Sequence, residues 1–252
     1  MNSPAAQGAN LTSWESVLWH EFCHVVTLQK TKNRMPRWLS EGISVYEENL
    51  ADPAWGDSIN LKYREMILSD DLTPVSKLSS AFLQPKSGLH LQFAYYESSL
   101  VVEHLINQYG LPALVNVLDE LSHGTPIKDA LRRHCAPVSV IDKQFATFAV
   151  ERAGELAPQG DWEKPEGDLQ LASLEPAELA DWNTEHPDSL VGLLAEGLAS
   201  AEREQWDKAI VRLEAARELS PLTKSIYSPL AQATNKPTSR RKSFRRLSSS
   251  QK

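Results

Sequence analysis

Two histidines four positions apart, His20 and His24, have Glu21 directly after the first and Glu41 sixteen residues beyond the second. No other part of the sequence groups residues so well suited to chemistry. On a helix, residues four apart lie on one face, one turn above the other, so both imidazoles can reach one tetrahedral Zn²⁺ at about 2.0–2.1 Å. A hydrolytic zinc also needs a third protein ligand and an open fourth position. Glu41 meets the first need, because sixteen residues suffice to finish one helix, turn, and enter a second. Glu21 borders the histidine face, where it can take a proton from water at the metal. The set reads as a one-zinc hydrolase, with His20, His24 and Glu41 as ligands and Glu21 as general base.

The surrounding residues predict the helices that must carry this set. Thr12 with Glu15 reads as a capping box, and Val17, His20, Glu21, His24 and Leu28 recur at helical spacing, which predicts a helix from about Ser13 to about Gln29. Lys30 and Lys32 complement its C-terminal dipole, Asn33 can turn the chain, and Pro36 suits the opening of a second helix bearing Glu41, Val45, Tyr46 and Glu48. Further on, helical periodicity covers Ile59–Leu68, Phe93–Tyr109 up to Gly110, Pro112–Leu121, Ile127–His134 and Val140–Arg152. A Pro- and Ser-containing loop is expected around Thr73–Gly88. Val101, Leu105, Leu114, Val117, Leu118 and Leu121 are the expected core of this part. Strand signals are scarce, so the fold class is mainly α.

His20-Glu21-Phe22-Cys23-His24, with Pro36-Arg37-Trp38-Leu39-Ser40-Glu41-Gly42 and the following Ile43–Glu48, resembles the gluzincin metallopeptidases, the peptidase MA-like group. The likeness is at motif level over about residues 14–50 and weaker to about residue 150. It implies a glutamate third ligand on the helix after the active-site helix, hence His20, His24 and Glu41 around one Zn²⁺, with Glu21 as base in peptide hydrolysis. It also implies an oxyanion donor from a later helix that commonly opens with a tyrosine. Phe93–Val102 resembles that helix, making Tyr95 the candidate catalytic donor, with Tyr96 behind it. The alternative for both tyrosines is an amphipathic core or rim position. Gluzincins place a sheet before the active helix, and only residues 1–19 precede His20 here. The expectation is therefore an N-terminally shortened, gluzincin-type helical subdomain with the upstream sheet largely missing.

Other reactive residues read more plainly. Cys23 is about 100° round the helix from His24 and should behave as a small hydrophobe, and with only Cys135 as company no disulfide framework is expected. His90, His104, His123, His134 and His186 lack ligand spacing and read as surface or hydrogen-bonded histidines. Glu47 or Glu48 could orient a ligand imidazole, the alternative being a solvated acidic face.

Composition frames the rest. In 252 residues, 41% are hydrophobic and the formal charge is −7, yet residues 236–252 hold seven basic residues and no acid, leaving a body of 19 basic against 33 acidic residues. A body so acidic argues against nucleic-acid binding by it. No apolar run approaches the roughly 20 residues of a membrane span, and no signal peptide is recognisable. The compartment stays open, because an upstream export signal could be missing.

Residues 153–185, rich in Gly and Pro, read as a linker with at most one short helix. Within 186–233, Leu190 to Pro221 places Gly197, Trp206, Ala209, Ile210, Leu213, Ala216 and Pro221 at spacings that resemble one tetratricopeptide (TPR) repeat, the alternative being a plain helical hairpin. The organisation expected is a peptidase domain over 1–152, the linker, a TPR-like module over 186–233, and a basic Ser-rich disordered tail over 234–252, where phosphorylation at Ser243 or Ser248 or contact with an anionic surface stands against a plain unstructured chain end. Partners would be a peptide or protein substrate, and a protein docked on the TPR-like module. The competing function is a non-catalytic interaction scaffold that keeps a structural or relic metal site.

Overall fold

The computed structural model describes residues 13–165, 171–221 and 223–236. It is mainly helical, 73% helix with no strand among the described residues, as expected. The chain divides into two compact units, the first running to Ala153 apart from Ile59–Leu61, the second comprising those three residues and the chain from Gly154 onward. No described helix is long and apolar enough to cross a membrane.

In the first unit, α1 spans Trp14–Lys30. The helix starts one residue inside the expected cap: Ser13 is the N-cap, its hydroxyl accepting from Ser16 N at 3.3 Å, and Thr12 lies outside the described residues. After Thr31 the chain reverses through Lys32 (φ 52°) and Asn33 (φ 59°), a left-handed pair of which asparagine is the more tolerant member. Pro36 then opens α2, Arg37–Ala51. Lys30, at the end of α1, is tied to Asp119 at 2.6 Å.

Next come α3, Leu61–Leu68, and a stretch where the loop expected over Thr73–Gly88 is in fact half helical. A 3₁₀ turn over Val75–Lys77 leads into α4, Leu78–Leu83, which buries Leu78 and Phe82. Those two residues are four apart, a one-turn apolar face too short to register as a period among serines and prolines. α5, Gly88–Tyr109, opens five residues earlier than Phe93, because Ser87 caps it by accepting from His90 N. Tyr95 consequently sits in the second turn rather than at the helix opening. The unit closes with α6 (Leu111–Ser122), α7 (Ile127–His134) and α8 (Val138–Gly154). Val101, Leu105, Leu114, Val117, Leu118 and Leu121 are all buried, the expected core.

α5 is the spine of this unit, buried at eleven positions between Phe93 and Leu105. α2 lies against it through Gly42: a Cβ at that position would come within 2.5 Å of Ser98 O and 2.8 Å of Ser98 C. Backbone cannot yield as a flexible side chain can, so only glycine permits this approach. α1 packs on α2 with Cys23 and Thr27 buried, while Leu18, Phe22, Val25 and Val26 remain about half exposed on its other side.

Glu97, one residue before Ser98, is 1% exposed. One carboxylate oxygen accepts from Thr73 N, while Oε2 has no hydrogen-bond partner among the described residues. Burial pushes the carboxyl up to about 8, with the Thr73 donors pulling partly back.

The second unit contains α9 (Pro176–Glu185), α10 (Leu190–Glu202), α11 (Trp206–Leu219) and α12 (Tyr227–Thr234). Helices α10 and α11 form a hairpin in which Gly197 lies against Leu213, where a Cβ would meet Leu213 Cδ2 at 2.8 Å. Leu190, Leu193, Leu194, Leu213, Ala216, Ile226 and Leu230 share one core with Leu156 and Ala157. The stretch 153–185, read as a linker from its Gly and Pro content, thus supplies core residues and carries α9. Leu156, Ala157, Leu171 and Leu179 show no helical period in the sequence but are buried. Beneath α9, buried Glu196 is held by Asn183 Nδ2 and Arg212 Nε, each at 2.7 Å, and by Lys208 Nζ at 2.8 Å.

Gly42→Ala should destabilise the protein by about 1–3 kcal/mol through overpacking against α5, read as a lower denaturation midpoint. Glu97 gives a second expectation. The unfolded carboxyl ionises near 4.5 and the folded one near 8, so across that window the native state holds the extra proton and stability falls as pH rises. The thermal midpoint should drop between about pH 5 and pH 8, and Glu97→Gln should flatten that slope.

Candidate metal centre

α1 and α2 meet along a polar seam. On α1 it is built from Ser16, His20 and His24, and on α2 from Arg37, Glu41, Ser44 and Glu48, which recur every three or four positions and so share one face. The helices run antiparallel, so the start of α1 meets the end of α2. Ser16 Oγ donates to Glu48 Oε2 at 3.3 Å, and His24 lies beside Ser40.

Within this seam His20 Nε2 lies 3.3 Å and His24 Nε2 3.2 Å from the same atom, Glu41 Oε2. The three ligand atoms fall within 4.8 Å of one another. Tetrahedral bonds of about 2.0–2.1 Å place neighbouring ligand atoms roughly 3.3 Å apart. The residues fit a zinc ion.

The other ring nitrogens explain why Nε2 is the available one. His20 Nδ1 is bonded to the buried carboxylate of Glu48. His24 Nδ1 lies 2.9 Å from Ser40 Oγ and 3.3 Å from Ser44 Oγ. Ser44 spends its own hydrogen on the His20 carbonyl at 3.2 Å, so towards His24 it can only accept. Nδ1 of His24 therefore carries the proton, and its Nε2 lone pair is left to bind metal. The two ligands differ in support, a carboxylate behind one and hydroxyls behind the other.

Burial works against a charged His20, but hydrogen bonds and charge from Glu41 and Glu48 outweigh it and push the imidazole up to about 9. Proton and metal compete for one lone pair, so metal uptake displaces a proton. Burial likewise opposes ionisation of Glu41, yet the bonds from His20 and Arg37 bring its carboxyl below the usual carboxylate range.

Glu41 divides its oxygens. Oε2 faces the histidines, whereas Oε1 accepts from Arg37 Nε at 3.1 Å. Arg37 also donates through Nη2 to Tyr95 Oη at 2.9 Å. Tyr95 is thereby joined to the centre through Arg37, while Tyr96 is buried and stacked on Tyr63. Glu21 is exposed and makes no hydrogen bond or ion pair among the described residues.

Arg37, Ser40 and Ser44 carry no role in the motif as read from the sequence. Arg37 and Ser44 were legible as members of the stripe 37, 41, 44, 48. Ser40, three residues after Arg37 and four before Ser44, lies at the edge of the same stripe. Cys23 is buried, and burial pushes its thiol up to about 11, an inert side chain.

Of the remaining histidines, His104 is buried beside Phe145 and Phe148. His186 does join a second group, with Asp161 and Glu163. There Asp161 accepts from Glu163 N at 2.9 Å and is paired with His186 Nδ1 at 2.6 Å, and Trp182 stacks on the ring at 3.9 Å. Both carboxylate oxygens of Asp161 are engaged, so the group works as a clasp.

A helical unit that closes two histidines and a glutamate around one point has the donor set of a mononuclear zinc hydrolase. The family model of the Peptidase MA superfamily matches residues 5–148. The chain belongs to that superfamily, whose members are typically zinc-dependent. No curated protein and no solved structure matches the chain.

Glu48→Gln should weaken zinc binding about 10–100-fold, since partners of ligand histidines typically contribute that much. His24→Ala should lose the metal outright. Zinc content and competition titration of the purified chains read both.

Proposed function

We propose that the protein is a zinc-dependent metallopeptidase of gluzincin type, hydrolysing peptide bonds. The observation that carries this reading is the meeting of His20, His24 and Glu41 at tetrahedral spacing, in a chain of the Peptidase MA superfamily. Bound there, zinc supplies Lewis acidity, polarising a peptide carbonyl and lowering the pKa of water beside it to about 7.

The chain's own residues do the rest. Glu21, whose carboxylate has no partner among the described residues, accepts a proton from the attacking water and passes it to the leaving amine. Tyr95 is the oxyanion donor. Its oxygen accepts from Arg37, so the phenolic hydrogen stays available for the charge that develops on the carbonyl oxygen. A cation donating to that oxygen also strengthens the bond the phenol can give. Glu48, Ser40 and Ser44 hold the ligand imidazoles in position. A structural zinc site would need no base beside it, and Glu21 is what favours catalysis over the scaffold reading.

The α10–α11 hairpin is assigned as a TPR-like docking element for a protein partner. Support comes from Gly197 packed on Leu213 and from the sequence spacing of Trp206, Ala209 and Ala216.

Glu21→Gln should retain zinc while cleavage of a peptide library falls at least about 100-fold. Tyr95→Phe should lower kcat by about two orders of magnitude with zinc content unchanged. Cleavage undiminished in Glu21→Gln would refute the base, and a purified parent chain without zinc would refute the reading as a whole.

A further inference from the structure

Among the described residues Arg37 is the one lysine or arginine bonded to a ligand of the candidate metal centre, and its guanidinium is only partly spoken for. A guanidinium presents five N–H donors on a planar fork. Nε and one hydrogen of Nη2 lie along its side edge, and these go to Glu41 Oε1 and Tyr95 Oη. The end edge, formed by Nη1 and the second Nη2 hydrogen, meets no acceptor among the described residues. That edge is the pair of parallel donors that matches a carboxylate in bidentate fashion.

The surroundings make it a prepared site. The side chain is 53% exposed, so a ligand can reach it. The guanidinium carbon lies 5.2 Å from the centroid of buried Phe82 and 6.0 Å from that of Tyr95, and the two rings meet edge to face at 5.1 Å. This aromatic corner, with the two hydrogen bonds, fixes the rotamer beforehand. An ordinary exposed arginine must give up that freedom on binding and so recognises anions weakly. Charge balance also leaves room for an anion. Glu41 is shared between Arg37 and the histidines, and zinc adds two positive charges beside it.

We propose that the end edge of Arg37 binds a substrate carboxylate next to the metal centre, so that the enzyme selects peptides presenting a carboxylate close to the scissile bond. This rests on the metallopeptidase reading and narrows it to a substrate class. The carboxylate has two possible sources, the C-terminal α-carboxylate or an Asp or Glu side chain, and one chemistry recognises both.

The test uses the full chain as Glu21→Gln, loaded with zinc whose content is measured first. Calorimetry then compares an acylated tripeptide acid with its C-terminal amide, and a peptide amide ending in Glu with one ending in Gln. Binding about tenfold or more tighter for the first acid assigns the α-carboxylate, and the same preference for Glu over Gln assigns the side chain. Adding Arg37→Gln should erase the preference, and Arg37→Lys should restore part of it, because lysine keeps the charge without the fork. If Arg37 only orients Glu41, Arg37→Gln would change zinc affinity and leave acid and amide discrimination intact, which overturns the inference. So would a zinc-loaded parent that binds all four peptides alike. The parent comparison needs no Arg37 variant and stands even if Arg37→Gln fails to fold. Absence of zinc in the parent sinks the metallopeptidase reading instead, a result distinguishable from the others.

Discussion

Gly42 directly follows the glutamate that closes the candidate metal centre, and there the backbone of α2 approaches that of α5 more closely than any side chain would allow. α2 has to do two things at once. One face is pressed onto the spine of the unit, burying Trp38, Leu39, Ile43 and Val45, while the adjacent face presents Glu41, Ser44 and Glu48 to α1. The position of Glu41 is therefore set by apolar burial on the far side of its own helix. That burial is a much larger stabilisation than any hydrogen bond in the seam. Burial supplies the rigidity, and the polar face takes its geometry from it.

The seam itself is joined by hydrogen bonds and ion pairs between polar side chains of the two helices. Such an interface holds together only if its members satisfy one another. Here they do. Ser16 and His20 share Glu48, Ser44 bridges the His20 carbonyl and the His24 ring, and both Nε2 atoms converge on Glu41. The convergence of two imidazoles on one carboxylate oxygen concentrates negative potential where a cation is wanted. Arg37 sits at the outer rim, restraining the second oxygen of Glu41 so that only one faces inward.

Much of the site could be read from residue types and intervals. Helical repeat puts His20 and His24 on one face, and Glu41, picked as a reachable third ligand, comes close to both Nε2 atoms. Of the pair Glu47 and Glu48, only tertiary structure chose Glu48, because the choice depends on the rotation of α2 about its axis. Tyr95 was legible as a candidate, but its link to the site through Arg37 was not, since α5 begins a turn earlier than expected and comes from more than fifty residues away. The half-helical stretch at α4 was missed for a related reason. Leu78 and Phe82 are too few to establish a period, yet Phe82 is the floor beneath Arg37. Likewise 153–185 reads as a linker by composition, while burial of Leu156 and Ala157 is a property of what surrounds them.

The sequence by itself determined most of the helices, the mainly α class and which residues could serve as ligands, because helical repeat, capping residues and ligand chemistry act over a few neighbouring positions. Only the tertiary structure decided which nitrogen of each histidine is available, which carboxylate stands behind His20, and that Arg37 joins Glu41 to Tyr95. These depend on distances between segments tens of residues apart, set by how close two backbones can come at a glycine.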